Sequence, residues 1–399
     1  MSIKQFITER LKLGKKSPVK KQEPTPEEIK THTPTLAPKV VEKVISQSRK
    51  DIADWKWSKQ LALSPTTPKL YLLQDIFNEV ANDALLTSQM NNRCEQTISA
   101  PYELVTGDGK VDDYMTKLVQ DIPVVTDILG YIWNSEWYGN STIEQSVENG
   151  MKKVTLINRR NIIPANGRFY PDVSMNNFIE YRKVREFGSW ILEFDSGGIG
   201  LLDKVIPHVL FKKFAHSCWS ELCEIYGIPP RVMKTETRDP EMLNRAEAMM
   251  RDVGAAAWFI IDSSEDFQFA QGVNTNGDVY NNLISLCNNE LSMLVSGAII
   301  GQDTKNGNES KEKVSIGLLN RLVNADKRLA EMYMNTVVIP SWIRIGWIPA
   351  TTSRFRFSAV EDTGQLWTYT QALLPHKEVD NVFIEEKFGI KVKDKTANF

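Results

Sequence analysis

His208, His216, Cys218 and Cys223 fall close together, and imidazole and thiolate are the groups that hold zinc. Zinc sites use short fixed spacings such as CxxC, and none occurs here. On a helix His216 and Cys223 share a face while His208 and Cys218 point elsewhere, so the cluster is read as structural and no metal is expected. Gly14-Lys15-Lys16-Ser17 has the ending of a phosphate-binding loop, without the upstream glycine or the preceding strand. Gly197-Gly198-Ile199-Gly200 opens no strand-to-helix crossover with a downstream acid, and is read as a flexible approach to the next helix. Asp112 and Asp113 stand where a helix begins and are read as caps. There is no GxSxG, no HExxH and no complete Walker A motif, and four histidines form no base–nucleophile pair. Neither catalysis nor a cofactor is expected.

These residues must be positioned by helices. Pro207 is tolerated in a first turn, so a helix is expected from Pro207 to Tyr226, closed by Gly227-Ile228-Pro229-Pro230. Ile206, Leu210, Phe214, Cys218 and Leu222 recur every fourth residue, widened by Val209 and Trp219, with Lys212, Lys213, Glu221 and Glu224 off the stripe. After the turn, Asp239 is an N-cap and Pro240 an N1 residue. Leu243, Ala246, Met250 and Val253 follow as a stripe, and Gly254 is a stop. Such a hairpin suits a core or an arm that reaches neighbouring subunits, and periodicity alone favours the core hairpin.

Upstream, 68–100 reads as helical with a break at Asn82-Asp83, Tyr102 to Val105 as a strand, and Gly107-Asp108-Gly109 as a turn. Residues 114–205 read as an α+β block, with a helix through Val124, Ile128, Tyr131 and Ile132 and then antiparallel strands at 143–147, 153–158, 178–184 and 190–194. Strands at 256–261 and 267–271 are expected to complete the same sheet. Val279 to Val295 is an amphipathic helix with Leu283, Leu286, Cys287, Leu291, Leu294 and Val295 on one side. Gly301 to Lys313 is a polar, glycine-containing loop, after which Val314, Leu318, Leu322, Leu329 and Met332 resume a helix. Phe355 to Phe357 alternates like a strand, and short helices are expected at 364–374 and 380–388, the second capped by Asp380 and ended by Gly389.

The chain has 399 residues, 42% hydrophobic and 25% charged, enough for two or three domains. Its longest apolar run, Ala255 to Ile261, is far short of the ~20 residues of a membrane span. Lys4, Glu9 and Arg10 are followed by no apolar stretch, so no secretory leader is expected, and the protein should be soluble and remain where it is made. Cys94, Cys218, Cys223 and Cys287 are read as reduced core residues. Residues 1–50 hold twelve Lys or Arg against five Glu, leaving thirty-six against forty-five for 51–399 from totals of 48 and 50. The Pro-rich basic head is read as a flexible arm, either a solvated tail or a segment that orders against a neighbouring subunit or nucleic acid. The acidic body argues against a broad grip on phosphate.

Pro68-Lys69-Leu70-Tyr71-Leu72 through Asp75, then Asn82 to Met90 and Arg93, resembles the opening of the Mu-type tailed-phage portal protein family. Glu224-Ile225-Tyr226-Gly227-Ile228-Pro229-Pro230-Arg231 is similar to its E-x-Y-G-I-P signature, and Leu286 to Gln302 resembles its helix ending in hydrophobic-G-Q. The chain departs after Gln302, where Asp303 and Lys305 replace a Thr-rich continuation, and its short C-terminal tail argues against a large crown.

The resemblance implies an α+β portal-type fold with a wing, a two-helix stem, a clip and a long helix broken by a tunnel loop. The arm would be 1–50, the wing 51–205 with strands and long helix at 255–298, and the stem 206–254 around the clip at 227–239. The tunnel loop would be 299–313, followed by a wing or crown-base helix at 314–350 and a small helical region at 351–399. It implies clip docking by Gly227, Ile228, Pro229, Pro230 and Arg231, a DNA-facing loop with Lys305, Asn306, Asn308, Lys311 and Lys313, and stem packing by Leu210, Phe214, Leu222, Leu243 and Met250. The implied assembly is a twelve-subunit homo-oligomeric ring at the virion's capsid vertex, formed in the host cytoplasm. Its partners would be double-stranded DNA, the terminase large subunit, head-completion or adaptor proteins, and major capsid and scaffold proteins, with no membrane. The alternatives are another ring-forming head–tail adaptor or scaffold, or a metal-dependent nucleic-acid-processing enzyme.

Overall fold

A computed structural model describes residues 35–36, 39, 51–226, 231–236, 238–252, 258–264, 277–299, 309–358, 363–374 and 379–390. In order these form α1 (Ile52–Ala62), α2 (Tyr71–Val80), α3 (Ala84–Ile98), β1 (Tyr102–Val105), α4 (Asp113–Gln120), α5 (Val125–Tyr138), β2 (Asn140–Glu148) and β3 (Met151–Leu156). Short strands β4 (Ile162–Ile163), β5 (Arg168–Phe169) and β6 (Ile179–Glu180) precede β7 (Ile191–Asp195). Then come α6 (Leu202–Tyr226), β8 (Arg231–Thr235), α7 (Pro240–Asp252), β9 (Trp258–Asp262), α8 (Asp278–Ser296) and α9 (Glu309–Tyr333). The last elements are α10 (Ile339–Arg344), β10 (Arg354–Phe357), α11 (Thr363–Leu373) and α12 (Asn381–Phe388). The chain divides into two compact units, Met1–Ile98 with Ile122–Ala350, and Ser99–Asp121 with Thr351–Phe399.

In the larger unit a helical layer is built on apolar residues at helical spacing. Leu73, Ile76, Phe77 and Val80 of α2 meet Leu86 and Met90 of α3, Trp133 and Trp137 of α5, Leu202 to Leu210 of α6, and Leu291 and Val295 of α8. The break after α2 has a local cause. Asp83 accepts the Leu86 N–H at 3.1 Å as a cap. The same carboxylate holds Lys212 Nζ at 2.9 Å, so Lys212, expected off the buried stripe of its helix, lies buried and paired.

The sheets are small and mostly antiparallel. β2 lies between β3 and β7, and β4, β5 and β6 form a separate sheet, so the expected meander is two sheets. Every residue of β2 but the last is buried. Gln145 on it accepts Trp342 Nε1 at 2.7 Å and donates to Ser341 Oγ at 2.8 Å, which ties α10 to the strand. The Tyr333 hydroxyl donates to the Asp195 carbonyl at 2.7 Å and accepts its N–H at 3.0 Å, fixing the end of α9 to β7. The glycine-rich 197–200 stretch is not a loose lead-in. Gly200 has φ +105°, and a Cβ there would lie 2.4 Å from the Trp137 carbonyl oxygen, so two backbones meet where only hydrogen fits.

Several expectations are corrected. α6 begins at Leu202, with Pro207 inside it. On α6 Ile206 and Leu210 are buried, but Phe214 is 53% exposed. A strict every-fourth row drifts about 40° per step around a 3.6-residue helix, which carries Phe214 off the covered face. Likewise α9 buries Leu319, Val323, Asp326 and Ala330, while Val314 and Met332 are exposed. Residues 227–239 are not one turn, because β8 occupies 231–235 and pairs in parallel with β9 from Arg231↔Trp258 to Thr235↔Asp262. Thus 258–262 does not complete the antiparallel sheet, and 267–271 lies outside the described residues. The crossover that parallel pairing requires is α7, which packs on both strands. Asp239 caps α7, accepting the Glu241 N–H at 2.9 Å. Of the cysteines only Cys287 is buried, and Cys223 is exposed. Leu36 is buried in spite of its Pro-rich surroundings.

In the smaller unit β1 pairs antiparallel with β10. Asp112 caps α4 through the Met115 N–H at 3.1 Å and accepts the Ser353 hydroxyl at 2.7 Å, and these bonds lower its pKa.

Gly200→Ala should cost at least about 3 kcal/mol in urea unfolding, from backbone clash with added strain at positive φ. Gly198→Ala, with nothing within 4 Å of the added carbon, should be near neutral. Equal costs would remove the close-approach argument.

Candidate functional site

The polar segment between α8 and α9 is bracketed by a charged cluster that joins the two helices. Arg93 of α3 donates through Nε to Asp326 Oδ2 at 2.7 Å and through Nη2 to Oδ1 at 2.8 Å. Its Nη1 donates to the Val295 carbonyl at 2.8 Å, and Trp133 Nε1 adds a bond to Asp326 Oδ2 at 2.9 Å. Both charged side chains are nearly buried, 7% and 10% exposed. A planar guanidinium matches a carboxylate with two parallel bonds and keeps a third donor for a carbonyl, which an ammonium on a flexible stem does not reproduce. Val295 lies in the last turn of α8, where carbonyls lack partners within the helix, so Arg93 caps α8 while it grips α9. Gln89, one turn before Arg93, donates to Ser292 Oγ at 2.7 Å and repeats the α3–α8 tie.

The cluster sets up its neighbours' titration. Burial first, then the negative charge of Asp326, raise the Glu136 carboxyl, with Arg93 opposing. The Cys94 thiol is pushed up to about 12 by burial and then by Glu95 and Asp326. A thiol so held is protonated and unreactive.

α8 ends at Gly297, with φ +73° and its N–H on the Met293 carbonyl at 3.1 Å. A Cβ on Gly297 would meet Leu322 Cδ1 at 3.3 Å and Leu318 Cβ at 3.6 Å, so α9 passes the end of α8 near residues 318–322. The nine residues Glu309 to Gly317 precede that crossing, roughly 13 Å of helix at the usual rise. Lys313, Val314, Ile316 and Gly317 there are exposed.

The expected site residues fall as follows. Lys305, Asn306 and Asn308 lie outside the described residues. Lys311 and Lys313 belong to α9, which starts at Glu309, so the loop expected to run to Lys313 is shorter than its polar composition implied. Gly227, Ile228, Pro229 and Pro230 also lie outside the described residues, and Arg231 opens β8. Leu210 and Met250 are buried, Leu222 and Leu243 half-buried, and Phe214 exposed. The long partner of α6 is α8. Trp219 lies against Gly277 before the start of α8, and Leu210 shares a core with Leu291 and Val295 near its end, so the two run antiparallel.

Sequence reasoning assigned no role to Asp326 and quoted Arg93 only as part of a motif. The available signal was Asp326 alone among apolar residues on the buried face of α9, whereas the buried face of α3 mixes Leu86 and Met90 with Gln89 and Thr97. Among the described residues no group of three or more His, Cys, Asp or Glu could hold a metal ion. No described helix is long and apolar enough to cross a membrane.

A family model described as the portal protein of Mu bacteriophage matches residues 74–390. The chain belongs to this portal family. Membership implies a capsid-associated oligomeric ring, and the matched range contains α3, the Arg93 cluster and both helices that flank 300–308. No curated protein matches the chain.

Arg93→Met should destabilise this portal chain by about 3–5 kcal/mol in urea unfolding, because it strands the buried Asp326 carboxylate. The double change Arg93→Met with Asp326→Leu should recover most of that loss. A single change that costs under about 1 kcal/mol would mean the cluster does not hold α3, α8 and α9 together.

Proposed function

We propose that this chain is the subunit of a ring at a capsid vertex, through which double-stranded DNA is packaged and later ejected. The reading is of a twelve-subunit ring with no catalysis of its own, and packaging energy comes from a separate ATPase. The observation that carries it is the portal-family match across residues 74–390. Its local support is the clamped pair α8 and α9, whose intervening segment carries Lys305 and is followed by Lys311 and by the exposed Lys313 on α9.

The charge distribution suits a conduit. With thirty-six basic against forty-five acidic residues after position 50, the body repels phosphate mildly, and repeated single lysines touch passing DNA without holding it. In this reading the segment 299–313 is the tunnel loop, α6 and α7 are the stem, and 227–239 is the clip. The clip docks the terminase large subunit and later head-completion or adaptor proteins, and the outer surface meets major capsid and scaffold proteins. In the clip Pro229 and Pro230 stiffen the chain just before Arg231 enters β8.

Light scattering and negative-stain microscopy of the purified protein should show closed rings with a central hole. A monomer with metal-dependent activity on DNA would sink the proposal. Changing Lys305, Lys311 and Lys313 together to alanine should leave ring mass unchanged while lowering packaged or retained DNA in a packaging assay. Normal DNA content would remove the tunnel-loop assignment. Replacing Pro229 and Pro230 by glycine should widen the ensemble of the clip and weaken terminase binding by roughly tenfold. Unchanged affinity would show that terminase docks elsewhere.

A further inference from the structure

Two residues of the N-terminal arm sit in the body of the fold, at a buried charge. Glu144 stands in the middle of β2 and is fully buried. Its Oε1 accepts the Thr35 hydroxyl at 2.7 Å and the Thr35 N–H, and its Oε2 accepts the Leu36 N–H at 2.9 Å. Leu36 enters the core made by Ile157, Ile162, Phe169, Tyr181 and Ile191. Two places along β2 on either side, Thr142 and Ser146 alternate onto the face of Glu144. Among the described residues their buried hydroxyl oxygens have no hydrogen-bond partner. The seat therefore matches one short bent segment, with a carboxylate for consecutive N–H groups, an apolar hole for leucine and two further polar atoms beside it.

A buried carboxylate that loses such donors is strongly disfavoured, so the seat is stable when this segment or its equal occupies it. In a ring the equal is at hand, since every copy carries Pro34-Thr35-Leu36-Ala37-Pro38, and exchange between copies leaves the bonds at the seat unchanged. We propose that the seat on β2 is an exchange site, where the Thr35–Leu36 segment of one copy docks on Glu144 of the next. This rests on the ring reading above. The reach is available: twelve residue steps separate Lys39 from Asp51, up to about 40 Å of extended chain. The root of the arm is held to its own body, because Trp55 Nε1 and Lys59 Nζ of α1 both bond Asp203, at 2.9 and 2.5 Å. A fixed root and a seat that accepts any copy turn weak ring contacts into a linked belt, through the high local concentration of neighbouring arms.

The test places a photoreactive diazirine analogue of leucine at position 36 in the full chain. Equal amounts of heavy-nitrogen and ordinary chains are unfolded together, refolded and assembled, and ring mass is read by light scattering before irradiation. Exchange predicts that about half of the cross-links from position 36 to the peptides around Tyr181 and Ile191 join heavy to ordinary chain, as random neighbours require. Full-size rings with only same-isotope links overturn exchange and leave the ring reading intact. Chains of monomer mass with same-isotope links overturn both. Glu144→Gln keeps the shape and removes the charge, and should cut cross-link yield about tenfold; an unchanged yield would show that the carboxylate does not hold the segment.

Discussion

The salt bridge between Arg93 and Asp326 is the interaction on which the larger unit turns. Its two members come from α3 and α9, and its third bond goes to the last turn of α8. A hydrophobic pair of the same volume could fill the space and be as stable, because desolvation of two ions offsets much of their attraction. A bidentate pair with a third directed bond adds geometry, since the helices cannot slide without breaking several short bonds together.

The same device recurs across the helical layer. Asp83 caps α3 and holds Lys212 of α6, and Asp203 at the start of α6 receives two donors from α1. Each is a charged residue near a helix end that ties two helices over a long sequence distance, and Asp83 also completes the local backbone. The sheet layer uses amide and hydroxyl groups instead, with Gln145 and Tyr333 joining β2 and β7 to α10 and the end of α9. Apolar burial supplies the driving force, and these directed contacts select one packing among many that would bury similar area.

Much of what the single chain leaves uncovered lies on its long helices. Phe211 and Phe214 on α6, Leu286 and Met293 on α8, and Val314 and Ile316 on α9 are exposed large apolar side chains. Their helices are nevertheless well formed, because each is anchored by residues elsewhere along its length. For a member of a ring-forming family, an anchored helix with an apolar outer face is the form of surface that neighbouring copies cover.

By itself the sequence determined the element inventory where a local rule governs it. The helix break at Asn82-Asp83, the caps Asp112, Asp239 and Asp380, the stop at Gly389 and the family signature around Tyr226 to Arg231 were all legible, because capping, φ preference and motif spacing act within a few residues. Burial faces were legible only in part. Strict every-fourth rows placed Phe214 and Val314 inside, whereas the true 3.6-residue period and the limited length of each partner leave them exposed. Strand β8 was hidden because five residues between a proline pair and a capped helix carry too little pattern to separate a strand from a turn. Only the tertiary structure decided that Arg93 meets Asp326, that Lys212 is buried against Asp83, and that Leu36 of a Pro-rich arm reaches Glu144. A charge buried in the fold needs a partner, but Coulomb and hydrogen-bond complementarity between residues more than a hundred positions apart is settled by how the helices and strands pack.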